Sequence, residues 1–344
     1  MKVLILSCNT GEGHNSAGKA VKEYIESHGD QAEFIDLMML SGKKTSKAVG
    51  GLYVNVVKHC PHHFWAGISA WEADFFGEAE ITGLFCVCKI RGKKLKQYLE
   101  NKDFDIIVTP HLYPAETLTW MKRKGILRQR TVAIATDYTS IPFWEETECD
   151  YYVIPHEDLI NEFVSRGIPR EKLLPWGIPV REKFGRRLDR KKAREICQLP
   201  QDGLIYLVMS GSMGFGRSRF FVLELARRLK ENEEIVVICG NNKKLEETLK
   251  RELRRDRRVR ILGFTEQVAE YMEACDVIFT KPGGLSSTEA AVSRIPIIHT
   301  NPIPGCENRN LEFFEERHMS IGRRSFFGQL RAGQNDFGER KIAP

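Results

Sequence analysis

The 344-residue sequence has no apolar run of the roughly eighteen uncharged residues that a bilayer-spanning helix needs, so no such helix is expected. Its first apolar segment, Val3-Leu4-Ile5-Leu6-Ser7-Cys8, follows Met1-Lys2 directly and is too short for the apolar region of a signal peptide. Cysteine lacks any pairing pattern: the nine are odd in number, scattered singly apart from Cys86 and Cys88, and Cys8, Cys239 and Cys275 sit in or beside apolar runs. This argues against a disulfide framework and for a reduced, cytoplasmic protein with buried thiols. Excess charge is small as well. A net +6 over this length signifies a solvated surface, although basic residues crowd positions 89–96 and 251–260.

What is present is an alternation of short β-branched runs with helical lengths. Strands are expected at 3–8, 32–35, 105–108 and 131–135, and again at 204–209, 234–239, 259–262, 277–279 and 297–299, with Gly29 placed to stop the first helix. That rhythm implies parallel sheets covered on both faces. Between the halves, Pro175-Trp176-Gly177-Ile178-Pro179-Val180 is rich in helix and strand breakers. The fold class is therefore α/β, two doubly wound Rossmann-like domains facing across a cleft: 1–178, 179–320, and an atypical tail at 321–344. In such sheets ligands bind beyond the carboxyl ends of the strands.

The strand ends are where the chemistry gathers. The first strand ends in Asn9-Thr10-Gly11-Glu12-Gly13-His14-Asn15-Ser16, a glycine turn that places His14 at a helix start. Histidine titrates near neutrality and can act there as a general base, or it can simply cap the helix. The same stretch imitates a P-loop, Gly13 to Lys19, but Ala20 replaces the magnesium-binding hydroxyl, which leaves a nucleoside triphosphatase as a rival reading. Phe279-Thr280-Lys281-Pro282-Gly283-Gly284-Leu285-Ser286-Ser287-Thr288-Glu289 runs from strand through two glycines into a helix. Backbone N–H groups at such a turn can approach a phosphate, and an acid one turn on can accept from ribose hydroxyls; chain reversal alone also explains a Gly-Gly turn. Gly211-Ser212-Met213-Gly214 forms a second glycine-rich turn, and Phe264, after a strand, can stack on a base or pack in the core. Asn301-Pro302-Ile303-Pro304-Gly305-Cys306-Glu307-Asn308 leads into a helix whose first polar groups can bind sugar hydroxyls or cap it.

Together, Gly11-Glu12-Gly13-His14, Thr109-Pro110-His111, Thr136-Asp137-Tyr138, the segment 281–290 and Asn301-Pro302-Ile303-Pro304-Gly305 resemble the monogalactosyldiacylglycerol synthase and processive diacylglycerol glucosyltransferase group of glycosyltransferase family 28. The match runs from residue 1 to about 318. The resemblance implies a GT-B fold and an inverting, UDP-sugar-dependent hexosyltransferase acting on diacylglycerol in glycolipid synthesis. It implies His14 as the base, with Gly13, His111 and Asp137 on the acceptor side. It places Gly211, Ser212, Met213, Gly283, Gly284, Ser286 and Ser287 about the diphosphate, Glu289 on the ribose, Phe264 on uracil, and Glu307 with Asn308 on the donor sugar. No cofactor or metal is implied, and no Asp-x-Asp pair ends a strand. The expected partners are a UDP-hexose, a diacylglycerol-type lipid and an anionic membrane surface, with no nucleic acid, at the cytoplasmic face of the membrane.

Two departures stand against the family pattern. Cys306 occupies a position where glutamine is usual, which leaves glucose or galactose open. The tail from Ser325 has little helical periodicity and resembles a truncated end. An isoprenoid-linked acceptor, a UDP-sugar epimerase with the same fold, and an impaired nucleotide-sugar-binding homologue remain the alternatives. Residues 41–100 mix Tyr53, Phe64, Trp65, Trp71, Phe75, Phe76 and Phe85 with lysines, suited either to a headgroup boundary or to helices covering the sheet. His59, Cys60, His62 and His63 crowd around Pro61 without a second ligand group, a poor arrangement for zinc.

Overall fold

The computed structural model describes residues 1–8, 12–41, 90–100, 102–209, 218–300, 302, 305–322, 326–331 and 333. Gly211, Ser212 and Met213, the aromatic-basic residues up to 89, the cluster at 59–63 and most of the tail lie outside them. The chain divides into two compact units, with the break at Arg181 and Glu182, just past the breaker-rich segment.

The first unit is built on six parallel strands in the order β2-β1-β3-β4-β5-β6. They are β1 (Lys2–Ser7), β2 (Gln31–Asp36), β3 (Ile106–Thr109), β4 (Arg130–Ile134), β5 (Tyr151–Val153) and β6 (Leu173–Leu174). The apolar run of β1 follows from its place in mid-sheet, where both faces are covered. Val3 and Ile5 pack with Val108, Ile134 and Val153 on one face, and Leu4 and Leu6 with Ile107, Leu118 and Met121 on the other. Helix α1 (Glu12–Ser27) covers the first face and lies close against it: a Cβ on Gly18 would come within 2.7 Å of the Phe34 ring. Helix α2 (Leu112–Arg123) and the helical residues 90–99, through Leu95, cover the second.

The second unit repeats the plan, in the order β12-β11-β10-β7-β8-β9. Its strands are β7 (Leu204–Met209), β8 (Glu233–Ile238), β9 (Val259–Leu262), β10 (Val277–Thr280), β11 (Ile297–His299) and β12 (Ser320–Gly322), all parallel. Tyr206, Val208, Val237 and Phe279 meet Phe221, Val222 and Leu225 of the helix Ser218–Arg227 in its core. Both first strands, β1 and β7, lie inside their sheets, so each sheet winds outward in two directions. The switch points fall between β1 and β3 and between β7 and β10. Strands β5, β6 and β12, two or three residues each, were not anticipated.

One buried ion pair fastens the second sheet at its base. Arg194, on the helix Arg190–Ile196, donates to the carbonyls of Ala274, Gln201 and Gly203 and to Asp276 Oδ2 at 2.9 Å. Asp276 also accepts from the Ile205 N–H at 2.8 Å and from Arg190 at 2.7 Å. With both side chains almost fully covered, truncating one partner leaves a charge buried. Arg194→Ala is expected to destabilise the second unit by about 3–5 kcal/mol in denaturant unfolding; a loss below about 1 kcal/mol would contradict this account.

Candidate functional site

At the first switch point the chain leaves β1 and enters α1, whose first turn carries Gly13, His14 and Asn15. Ser7, the buried last residue of β1, donates through Oγ to Asn15 Oδ1 at 2.7 Å and holds that turn against the strand end. His14 Nδ1 lies 2.9 Å from the Pro110 carbonyl, at the end of β3, and 3.0 Å from Thr136 Oγ1, after β4. A carbonyl only accepts, so Nδ1 carries the proton and Nε2 keeps its lone pair. The His111 ring stands edge-on to His14, with centroids 4.6 Å apart at 64°. Its Nδ1 accepts from the Tyr113 N–H, so His111 N-caps α2 as a neutral ring.

Electrostatics agree with these tautomers. Burial pushes the His14 pKa down, while Asp137 and the Pro110 carbonyl pull it part of the way back; it remains below the ordinary histidine value. Burial holds His111 well below that value, and the neighbouring His14 and Arg91 push it in the same direction. The unit thus presents a neutral imidazole with a carboxylate in electrostatic range. The P-loop reading fails on geometry. Residues Gly13 to Lys19 are helical, and Lys19 is exposed to solvent, with no loop for it to close.

At the second switch point β10 ends in Thr280, followed by Lys281-Pro282-Gly283-Gly284. Gly283 N-caps helix α8 (Gly284–Val292). Its backbone, φ −73° and ψ 138°, is one that any residue adopts, and a Cβ placed there would meet nothing within 4 Å. The fold therefore does not require glycine at 283; what a side chain would obstruct is the open space over the helix N-terminus. Ser286 is partly exposed on the first turn, and Glu289 follows on the next, largely buried. Ser287 sits 100° further round the helix than Ser286 and faces inward. It is fully buried, its Oγ is 2.9 Å from His299 Nε2, and its N–H donates to the Gly283 carbonyl. A direct ligand contact by Ser287 does not fit that position; its role is to support the turn.

Two supporting residues, His299 and Asn310, escaped the sequence reading, and a third, Lys281, was seen only as part of the turn motif. His299 ends β11, opposite Thr280, and burial pushes its pKa down to about 3, so it is neutral at any working pH. Asn310, fully buried on helix α9 (Cys306–Glu316), donates to the Pro282 carbonyl at 2.9 Å and ties that helix to the glycine turn. Lys281, immediately before the turn, is largely buried; burial lowers its pKa, and the opposite charge of Glu307 acts to raise it. Glu307 and Asn308 lie in the first turn of α9, half-buried and exposed respectively. Phe264, just past β9, is 65 % exposed, which excludes the core position considered for it. Cys306 is half-buried, and the five other cysteines among the described residues are buried.

Residues 14–180 match the family model of monogalactosyldiacylglycerol (MGDG) synthase. That match spans most of the first unit, which is similar to the family. Residues 190–312, in the second unit, match glycosyl transferases group 1. Across both units the chain is 28 % identical over 326 residues to a processive diacylglycerol beta-glucosyltransferase of Bacillus licheniformis, with 93 % of this chain and 82 % of that protein covered. The corresponding protein of Staphylococcus carnosus is 27 % identical, over 92 % of this chain and 80 % of its own. Among solved structures the chain resembles Acinetobacter baumannii MurG, with a TM-score of 0.58 at 14 % identity, covering 97 % of this chain and 90 % of that one. The S. aureus MnaA-UDP co-structure gives 0.57 at 11 % identity, over 97 % and 87 %. At these identities the structures speak for the fold alone, and the fold is GT-B.

In the second unit Gly283 supplies the test. Gly283→Ala is expected to change unfolding stability by less than about 0.5 kcal/mol, because nothing in the fold contacts the new methyl. The same variant should bind UDP at least several-fold more weakly in calorimetry. Unchanged UDP affinity would remove the turn from the ligand site.

Proposed function

We propose that the chain transfers a hexose from a UDP-sugar to the hydroxyl of diacylglycerol, with inversion at the anomeric carbon. The observation that carries this reading is His14, a neutral imidazole whose Nδ1 proton is committed to the Pro110 carbonyl and whose Nε2 is left as a base. In the reaction the acceptor oxygen forms a bond to the anomeric carbon as the bond to the β-phosphate oxygen breaks. The bonding pair leaves with UDP, and the acceptor proton passes to His14 Nε2. Asp137 steadies the imidazolium that results, and His111 fixes the neighbouring wall.

On the donor side, the reading gives the diphosphate to the backbone at Gly283 and Gly284, the N-terminus of α8 and the hydroxyl of Ser286, with Gly211, Ser212 and Met213 contributing from the turn after β7. Lys281 adds positive charge next to that turn. Glu289 takes the ribose, Phe264 the uracil, and Glu307 with Asn308 the sugar. The names of the curated relatives favour glucose as the hexose. Cys306, beside Glu307, is the residue through which galactose would enter. Diacylglycerol resides in a bilayer, so the reading places the protein peripherally on a membrane surface. No helix among the described residues is long and apolar enough to cross one.

The direct test offers UDP-glucose, UDP-galactose and other UDP-sugars with diacylglycerol vesicles and identifies the products by mass spectrometry. Glycolipid from at least one UDP-hexose is expected; none from any, with UDP binding intact, sinks the proposal. For the base, His14→Ala should lower turnover by about 10²- to 10⁴-fold while UDP affinity stays within error. The pH profile carries a sign. His14 acts only when neutral, and its pKa is depressed, so activity should hold as pH falls through about 6.5 and drop only below it. Asp137 raises that pKa, so Asp137→Asn should move the acid limb to still lower pH; movement to higher pH would contradict the assignment.

A further inference from the structure

The second unit has a cavity of about 400 Å³ at the opposite end of its sheet from the glycine turn. It lies where the chain enters β10 and β11 and where α8 ends, and its lining comes entirely from the second unit. Three guanidiniums, Arg187, Arg190 and Arg294, line it against a single carboxylate, Glu273. Arg190 shares its charge with Asp276 at 2.7 Å, whereas Arg187 and Arg294 have no ion pair among the described residues. Arg187 and Arg190 both act electrostatically on Glu273, so these charges are close together.

A second observation concerns hydrogen bonding. Ser293 lines the same cavity, is 9 % exposed, and its Oγ is buried with no partner among the described residues. A buried hydroxyl is normally satisfied, and this one, on a residue that lines the cavity, has its donor and lone pairs uncommitted. The carbonyls at the end of α8 do not repel an anion strongly, because Glu289, Ala290 and Ala291 already accept from the N–H groups of Ser293, Ile295 and Arg294. Leu188, Met272 and Ile295 provide apolar lining beneath the charges.

We propose that this cavity binds a small phosphate monoester, at a site separate from the donor cradle. The lining charges, three positive and one negative, leave +2, which matches a phosphate dianion. Guanidinium forks fit phosphate oxygens in bidentate fashion, Ser293 Oγ can donate to one more, and the apolar lining takes the ester's carbon portion. A volume of about 400 Å³ is within the range of small-molecule sites. The site does not depend on the transferase reading, since none of its residues belongs to the donor or acceptor machinery.

The probes are inorganic phosphate and glycerol 3-phosphate, titrated by calorimetry into the full chain with UDP in excess, and glycerol as the neutral control. Saturable binding of at least one phosphate probe at millimolar concentration or below is expected, with none of glycerol. Arg187→Ala combined with Arg294→Ala should weaken it about tenfold or more, a loss near 1.4 kcal/mol, while UDP binding by the same variant is unchanged and reports an intact fold. Ser293→Ala should weaken it by a smaller factor, and Arg294→Lys should retain part of it. Absence of saturable binding to the wild-type chain, or equal binding by the double variant, overturns the proposal.

Discussion

Parallel pairing from the middle outward is the constraint on which both units depend. A parallel strand cannot turn back on its neighbour, so each is followed by a crossover that covers one face of the sheet. Because β1 and β7 lie inside their sheets, successive crossovers go first one way and then the other, and a gap opens at the carboxyl ends where the direction changes. The residues just past β1, β3 and β10 are delivered to those gaps by topology alone. His14, Pro110 and His111 meet in one, and Lys281, Gly283 and Gly284 in the other.

Burial then sets the chemistry of what arrives. Desolvation disfavours charge on His14, His111 and His299 alike, but each neutral ring is used differently because of what its nitrogens touch. A carbonyl acceptor commits Nδ1 of His14 and frees Nε2; a backbone donor commits Nδ1 of His111 and makes it a cap; a serine hydroxyl on Nε2 of His299 makes it a brace for the first turn of α8. Asp137 moderates the first case only. Lys281 is the converse: a cation kept largely out of water beside a turn whose own partial charge is positive, with Glu307 as counterweight. Positive charge gathered there favours a bound anion.

The two sheets could be read from the sequence because buried parallel strands appear as continuous apolar runs: four residues in β1 (Val3–Leu6), six in β7 (Leu204–Met209) and four in β8 (Ile235–Ile238). Very short strands leave little such trace, so β5, β6 and β12 went unseen. The site was legible where glycine, proline and a titratable residue fall together, as at Gly13-His14 and Lys281-Pro282-Gly283-Gly284. It was not legible where a lone residue acts through packing. Nothing in the sequence near His299 or Asn310 announces that each holds the glycine turn from a different element. Ser286 and Ser287 are equivalent as letters and are separated only by which way α8 faces, a property of its packing on the sheet. The aromatic-basic stretch and the turn after β7 lie outside the described residues and stay at the level of the resemblance.

The central claim is that His14 is a neutral base whose free nitrogen is selected by the Pro110 carbonyl. Nitrogen-15 chemical shifts of the His14 ring at pH 7, assigned by comparison with a His14 variant, measure that protonation state directly. The account predicts a protonated Nδ1 and an unprotonated Nε2. A doubly protonated ring, or the opposite tautomer with its proton on Nε2, would contradict it.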